Sequence, residues 1–211
     1  ILNKGVSLYD LLLGIFGEEV LGFFDTEEER LFVVGDAPEF GPRDAVTYVH
    51  EFVHGLQQQH FDIHTTGESL KDNTDRFRAF RGLVEGDATV AQTLYLIQNL
   101  SPDEQAAIDQ AASEDEPGFL ESAPHVIQRT VGFPYVEGTQ FVIALFLATN
   151  NWDFVNLAFE NVPESTEQIL HPLKYVDAEK PTVVELSDLT AVLGDGWTLL
   201  RQDTLGEFVL L

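Results

Sequence analysis

The chain has 211 residues, of which 44% are hydrophobic, and sets 36 Asp+Glu against 11 Lys+Arg for a net charge of −25. That length suffices for one domain with a proper core, while the acidity repels phosphate and excludes nucleic acid as a partner. Cysteine is absent, so any metal must be held by His, Asp or Glu rather than by thiolates.

The acids are scattered from Glu18 to Glu207 instead of forming one tail. This pattern fits a halophilic surface, hydrated and screened in high salt, better than a single docking site for cations. Methionine is missing even at position 1, so a processed or truncated product is expected, with an extracellular or cell-surface location favoured. No apolar run of 18 residues is seen, and no membrane span is expected.

In chain order, residues 6–16 read as a short amphipathic helix. Val20–Phe24 and Arg30–Val34 are β-rich runs around a polar Asp25–Glu29, which predicts a β-hairpin. Gly35 to Gly41 is expected to be loop. Pro42 and Asp44 then suit a helix's first turn, and Val46, Val49, Val53 and Leu56 continue a helical period to about Phe61. Thr65 to Asp75 is a polar connection. A long helix is predicted from Thr74 to Asn99, a further one from Ser101-Pro102, and an acidic loop over Ser113–Pro117. Phe141–Thr149 reads as a buried helix and Ser165–His171 as a short one with a capping box of Ser165 and Gln168. Short strands or turns are expected at Thr182–Leu186 and Trp197–Leu200. The predicted class is α+β, mainly α, as a single domain over 1–211. A cleft is expected to divide it into 1–66, with the hairpin, and a helical 67–211.

The chemistry centres on His50-Glu51-Phe52-Val53-His54. On a helix, the two imidazoles lie about 40° apart and one turn up, so both reach one ion, while Glu51 lies about 100° round and reaches a water rather than the metal. A catalytic zinc needs a third ligand and an open position. His60 has a tempting spacing, but a continuing helix carries it about 15 Å beyond His50, and the residue that must break the helix is Gln57, not Gly. His60 is read as a helix-end histidine. Glu85, 31 residues after His54, sits mid-helix beside Gly86, where a glycine is expected to let this helix pack closely beneath the HExxH helix. It is also spaced to pair with Arg81. His125 and His171 remain alternatives for the third ligand. Asp87 faces away from Glu85's side and is a candidate for an outer-shell contact.

The HExxH…Glu arrangement resembles gluzincins such as thermolysin-like peptidases, although Thr89 stands where those enzymes carry an orienting Asp. More of the chain resembles a poorly characterised family of prokaryotic zincin-like proteins. The matching stretches are Gly22–Asp25, His50–Asp62, Leu83–Ala88, Phe133–Tyr135 with Glu137-Gly138, and Ser165–Pro172. The resemblance implies a zincin fold and a site in which His50, His54 and Glu85 hold Zn²⁺. Glu51 is then the general base toward a peptide or protein substrate. Tyr135 and His171 are the candidates to stabilise the oxyanion. The competing reading is a non-catalytic zincin-like module that binds metal or another protein.

Overall fold

The computed structural model describes residues 7–18, 22–34, 40–114, 118–186, 189–194 and 196–211. In order, the elements are α1 (Leu8–Glu18), β1 (Gly22–Asp25), β2 (Arg30–Val33), α2 (Pro42–Phe61), α3 (Ile63–Leu70), α4 (Thr74–Asn99), α5 (Pro102–Glu114) and α6 (Phe119–Ser122). They continue with α7 (His125–Thr149), α8 (Asp153–Glu160), α9 (Thr166–Leu170), α10 (Pro172–Val176), α11 (Thr190–Leu193) and α12 (Glu207–Leu210). The fold is mainly helical, with one two-stranded antiparallel sheet among the described residues. Val20, Leu21 and residues 35–39 of the expected loop fall outside them, as do 115–117 of the acidic loop.

The hairpin pairs Phe23 with Phe32 and Asp25 with Arg30. The Asp25 carboxylate accepts from the Glu27 and Glu28 amides at 2.9 Å, closing the turn. One face of the hairpin rests on α2. Gly22 allows this approach, since a Cβ there would come within 2.9 Å of Phe32 O and Thr47 Cγ2 and 3.1 Å of Glu51 Cγ.

Helix α2 begins with Pro42 in its first turn and the Asp44 carboxylate accepting from Gly41 N–H at 2.8 Å. It ends at Asp62, whose left-handed backbone (φ 46) redirects the chain and whose side chain caps the next helix through Thr65 N–H. The polar connection expected after residue 64 is thus helix α3. Its buried Ile63, Gly67 and Leu70 recur at helical spacing, a period too short to stand out in the sequence. The expected subdomain boundary at residue 66 falls inside this helix.

Helix α4 is the spine. Asn73 caps its start by accepting from Arg76 N–H at 3.0 Å, and α2, α3, α7, α8 and α9 all pack on it. Its middle, Gly82 to Gly86, is accordingly buried all round, more than the single apolar face the sequence predicts. The core runs from Leu83 through Phe133, Phe141 and Leu145 of α7 to Val155 and Ile169. Helix α7 begins at His125, well before the expected Phe141, and continues through Pro134. A proline mid-helix forfeits one backbone bond, and the packing on α4 holds the helix together across it. By length and composition α7 is apolar enough to cross a membrane, yet Phe133, Phe141, Val142 and Leu145 are buried against the protein's own core.

The glycine beside Glu85 does serve a close approach, but toward α7 and not α2. A Cβ on Gly86 would overlap the Gly138 carbonyl, and one on Gly138 would overlap the Gly82 carbonyl. Position 86 lies about 100° round the helix from 85, so Glu85 faces α2 while Gly86 faces α7.

In α9, Ser165 accepts from Gln168 N–H, but the Gln168 side chain accepts from Glu164 N–H at 2.7 Å and not from Ser165, so the expected capping box is only half made. Residues 182–186 and 197–200 are neither helix nor strand. Among the described residues no strand pairs with them, so their β-branched and apolar side chains join no ladder. Beyond them Phe208 is buried against Phe133, ring centroids 4.3 Å apart, with the guanidinium groups of Arg78 and Arg129 each 5.1 Å from its ring.

Gly132 and Gly138 of α7 make a matched test of the helix contact. Alanine favours a helix by about 1 kcal/mol over glycine, and nothing lies within 4 Å of a Cβ at Gly132, so Gly132→Ala is expected to be neutral or stabilising by urea denaturation. Gly138→Ala must displace the backbone of α4 and is expected to cost about 1–3 kcal/mol. Equal midpoints for the two variants would contradict the close crossing.

Candidate metal centre

His50 and His54 lie on the face of α2 that meets α4, and Glu85 comes from α4. Their Nε2, Nε2 and Oε2 atoms form a nearly equilateral triangle: 3.1 Å between the nitrogens and 3.3 Å from each nitrogen to the carboxylate oxygen. The three residues are the group of ligand atoms close enough to hold a metal ion among the described residues. Donors bonded at 2.0–2.1 Å on neighbouring corners of a tetrahedron are separated by about 3.3 Å, so the triangle has the size of one face of such a site.

Both imidazoles are oriented from behind. His50 Nδ1 lies 3.2 Å from Gln92 Oε1, and His54 Nδ1 lies 2.8 Å from Gln57 Oε1. An acceptor at Nδ1 puts the ring proton there and leaves the Nε2 lone pair for the shared point. Gln57, only 2% exposed, has its orientation fixed in turn: its amide donates to Val84 O at 3.0 Å and to Asp87 Oδ2 at 2.7 Å. Asp87 therefore acts on the site through Gln57, as an outer contact on the far side of His54. Burial pushes the Asp87 carboxyl up to about 6.

Glu85 divides its carboxylate. Oε2 faces the histidines, and Oε1 accepts from Arg81 at 2.7 Å. The two sequence readings of Glu85, metal ligand and i,i+4 partner of Arg81, are compatible because each uses a different oxygen. Burial alone would raise this carboxyl, but hydrogen bonds from His50 and His54 and the charge of Arg81 hold it well below the carboxylate range. Burial opposes protonation of His54, yet the Glu85 hydrogen bond and charge outweigh it and raise its pKa. The pocket is thus organised to favour positive charge at its centre.

Glu51 is 8% exposed and lies between α2 and β1, where the Phe24 backbone N–H faces its carboxylate. Burial raises its pKa, against the opposing pull of His54 and His50. Tyr135 of α7 completes the neighbourhood: its ring stands 6.3 Å from the His50 ring, and burial together with the Glu85 charge pushes its phenol up to about 12. At neutral pH it is therefore a hydroxyl donor.

The other candidates lie elsewhere. His171 closes α9 and its Nε2 sits 3.0 Å from Glu207 Oε1; it is not one of the three grouped ligand residues. His125 starts α7 and is exposed. His60 lies exposed in the last turn of α2, as the continuing helix requires. The Thr89 hydroxyl has no hydrogen-bond partner among the described residues, and Gln92, almost one turn further along α4, contacts His50 instead. Gln57 and Gln92 were not singled out by sequence reasoning. The signal present was a glutamine at 57 on the helix face shared with His50, three residues after His54.

Gln57→Ala is expected to lower metal affinity about 10–100-fold by chelator competition, because His54 loses its orienting acceptor. Unchanged affinity would remove Gln57 from the site's support. Compared with known proteins, the chain matches no family model, no curated protein and no solved structure.

Proposed function

We propose that the protein is a zinc-dependent peptidase of gluzincin type with a zincin-like fold. The observation that carries the reading is the 3.1–3.3 Å triangle of His50, His54 and Glu85 donors with the buried Glu51 carboxylate beside it. The donor set, two imidazoles and a carboxylate, suits zinc and leaves a corner of the tetrahedron for water or substrate. A zinc ion in this group would supply Lewis acidity, polarising a water and the scissile carbonyl.

The chain's own residues account for the remaining steps. Gln92 and Gln57 hold the imidazole rings in the ligating tautomer, and Arg81 holds Glu85 by the oxygen not aimed at the histidines. Glu51 takes the proton of the attacking water and delivers it to the leaving amine. The Phe24 N–H and the burial of Glu51 keep its carboxylate in place for both transfers. Tyr135 donates its phenolic hydrogen toward the carbonyl oxygen as negative charge develops there. The adjacent hairpin offers extended backbone for a peptide to lie against.

Three substitutions separate these roles. Glu51→Gln is expected to keep its metal by elemental analysis while peptide hydrolysis falls by at least about 10²-fold. Metal retained with undiminished turnover would rule out the base, and metal bound by a wild type without any hydrolysis would favour the non-catalytic module. Glu85→Ala is expected to lose most of its bound zinc. Tyr135→Phe is expected to lower kcat about 10²-fold with little change in KM; an equal loss confined to KM would make it a binding residue.

A further inference from the structure

A cavity of about 490 Å³ opens where α2, α4 and α8 meet, and none of the three grouped ligand residues lines it. Its apolar wall is made by Val53, Leu56 and Phe61 of α2, Ala91 of α4, and Trp152 at the start of α8. An edge contact with Phe146, ring centroids 5.1 Å apart, holds the Trp152 ring in place. Two carboxylates share the lining, Asp87 of α4 and Glu160 of α8, and the exposed His60 and Asn156 complete it.

Unpaired acids are ordinary on a chain with 36 Asp+Glu and 11 Lys+Arg. These two differ in their setting. No lysine or arginine lines the cavity. Asp87 is partly withdrawn from water, yet the donor that meets it is the neutral Gln57 amide, at 2.7 Å. Among the described residues neither Asp87 nor Glu160 forms an ion pair. A carboxylate shielded from water without a counter-charge is poorly compensated, and here it stands beside an indole face and an apolar wall.

That combination selects among cations. An inorganic ion gains nothing from the apolar wall. A guanidinium uses both parts: its fork of N–H donors matches carboxylates, its plane stacks on an indole, and it sheds water more readily than an ammonium. An aliphatic stem behind it lies against Val53, Leu56 and Ala91.

We propose that this cavity is a second binding site, for a guanidinium on an aliphatic stem: the side chain of an arginine, or a small free guanidine. The net charge of −25 draws such cations toward the surface. The site goes beyond the peptidase reading and does not depend on it.

The test measures binding to the full chain by calorimetry, with tryptophan emission followed in parallel. The probes are N-acetyl-arginine methylamide, its neutral isostere N-acetyl-citrulline methylamide, and butylguanidine. Wild type is expected to bind one arginine amide per chain and the citrulline compound at least about tenfold more weakly. Butylguanidine binding as tightly as the arginine amide assigns the site to free guanidines; weaker binding assigns it to an arginine side chain. Asp87 also holds Gln57, so the charge is tested at Glu160: Glu160→Gln is expected to weaken the arginine amide about threefold and leave the citrulline compound unaffected. Trp152→Phe is expected to abolish the emission change, since the second tryptophan, Trp197, does not line the cavity. Ala91→Phe, which places a ring in the cavity, is expected to abolish binding. Equal affinity for the arginine and citrulline compounds, no saturable binding at millimolar concentration, or affinity unaltered in both Glu160→Gln and Ala91→Phe would overturn the proposal. None of these readouts uses hydrolysis, so each leaves the peptidase reading as it stands.

Discussion

Two imidazole nitrogens and a carboxylate oxygen held within 3.3 Å of one another repel unless positive charge sits among them. Without a metal a proton serves that role: burial opposes it at His54, but the Glu85 hydrogen bond and charge prevail and raise the pKa. A divalent cation bound by all three donors would satisfy the same geometry. Much of the surrounding structure can be understood as holding these donors in place. Gln57 ties α2 to the Val84 carbonyl and to Asp87 on α4. Arg81 secures Glu85 by its outer oxygen, and Gln92 fixes His50.

The rigidity of α4 has a second source. Glycines 82, 86 and 138 bring the backbones of α4 and α7 into direct contact, leaving α4 little room to translate. Glu85 and Gly86 are consecutive, so one short stretch faces a prospective ion on one side and a neighbouring backbone on the other. That coupling also carries Tyr135, about one turn before Gly138 on the same packed helix, to the edge of the candidate metal centre. The acidic surface is a separate matter. It governs hydration and encounter with charged partners, whereas the polarity of the site is set locally by Arg81, the histidines and burial.

Much of this was legible in the sequence where a residue type and a spacing together left few alternatives. The HExxH string declared both its helix and two of its donors. The bounds of α4 followed from its apolar period, and α2 continues past His60 as expected. Glu85 stood out because glutamate beside glycine mid-helix asks for a packing reason, although the partner of Gly86 proved to be α7 and not α2. Other features depended on tertiary context. Helix α3 is too short for its period to register, Pro134 concealed the first half of α7, and the contact of His171 with Glu207 joins residues far apart along the chain. The orienting roles of Gln57 and Gln92 went unread since a glutamine acts here only through the elements that converge on it.

X-ray absorption at the zinc edge, on protein purified without chelators or an immobilised-metal column, tests the central claim most directly. The account predicts close to one zinc per chain, bound by two imidazole nitrogens and one or two oxygens at about 2.0–2.2 Å. A protein that takes up no stoichiometric metal, or whose metal lacks the two-histidine signature, would contradict it.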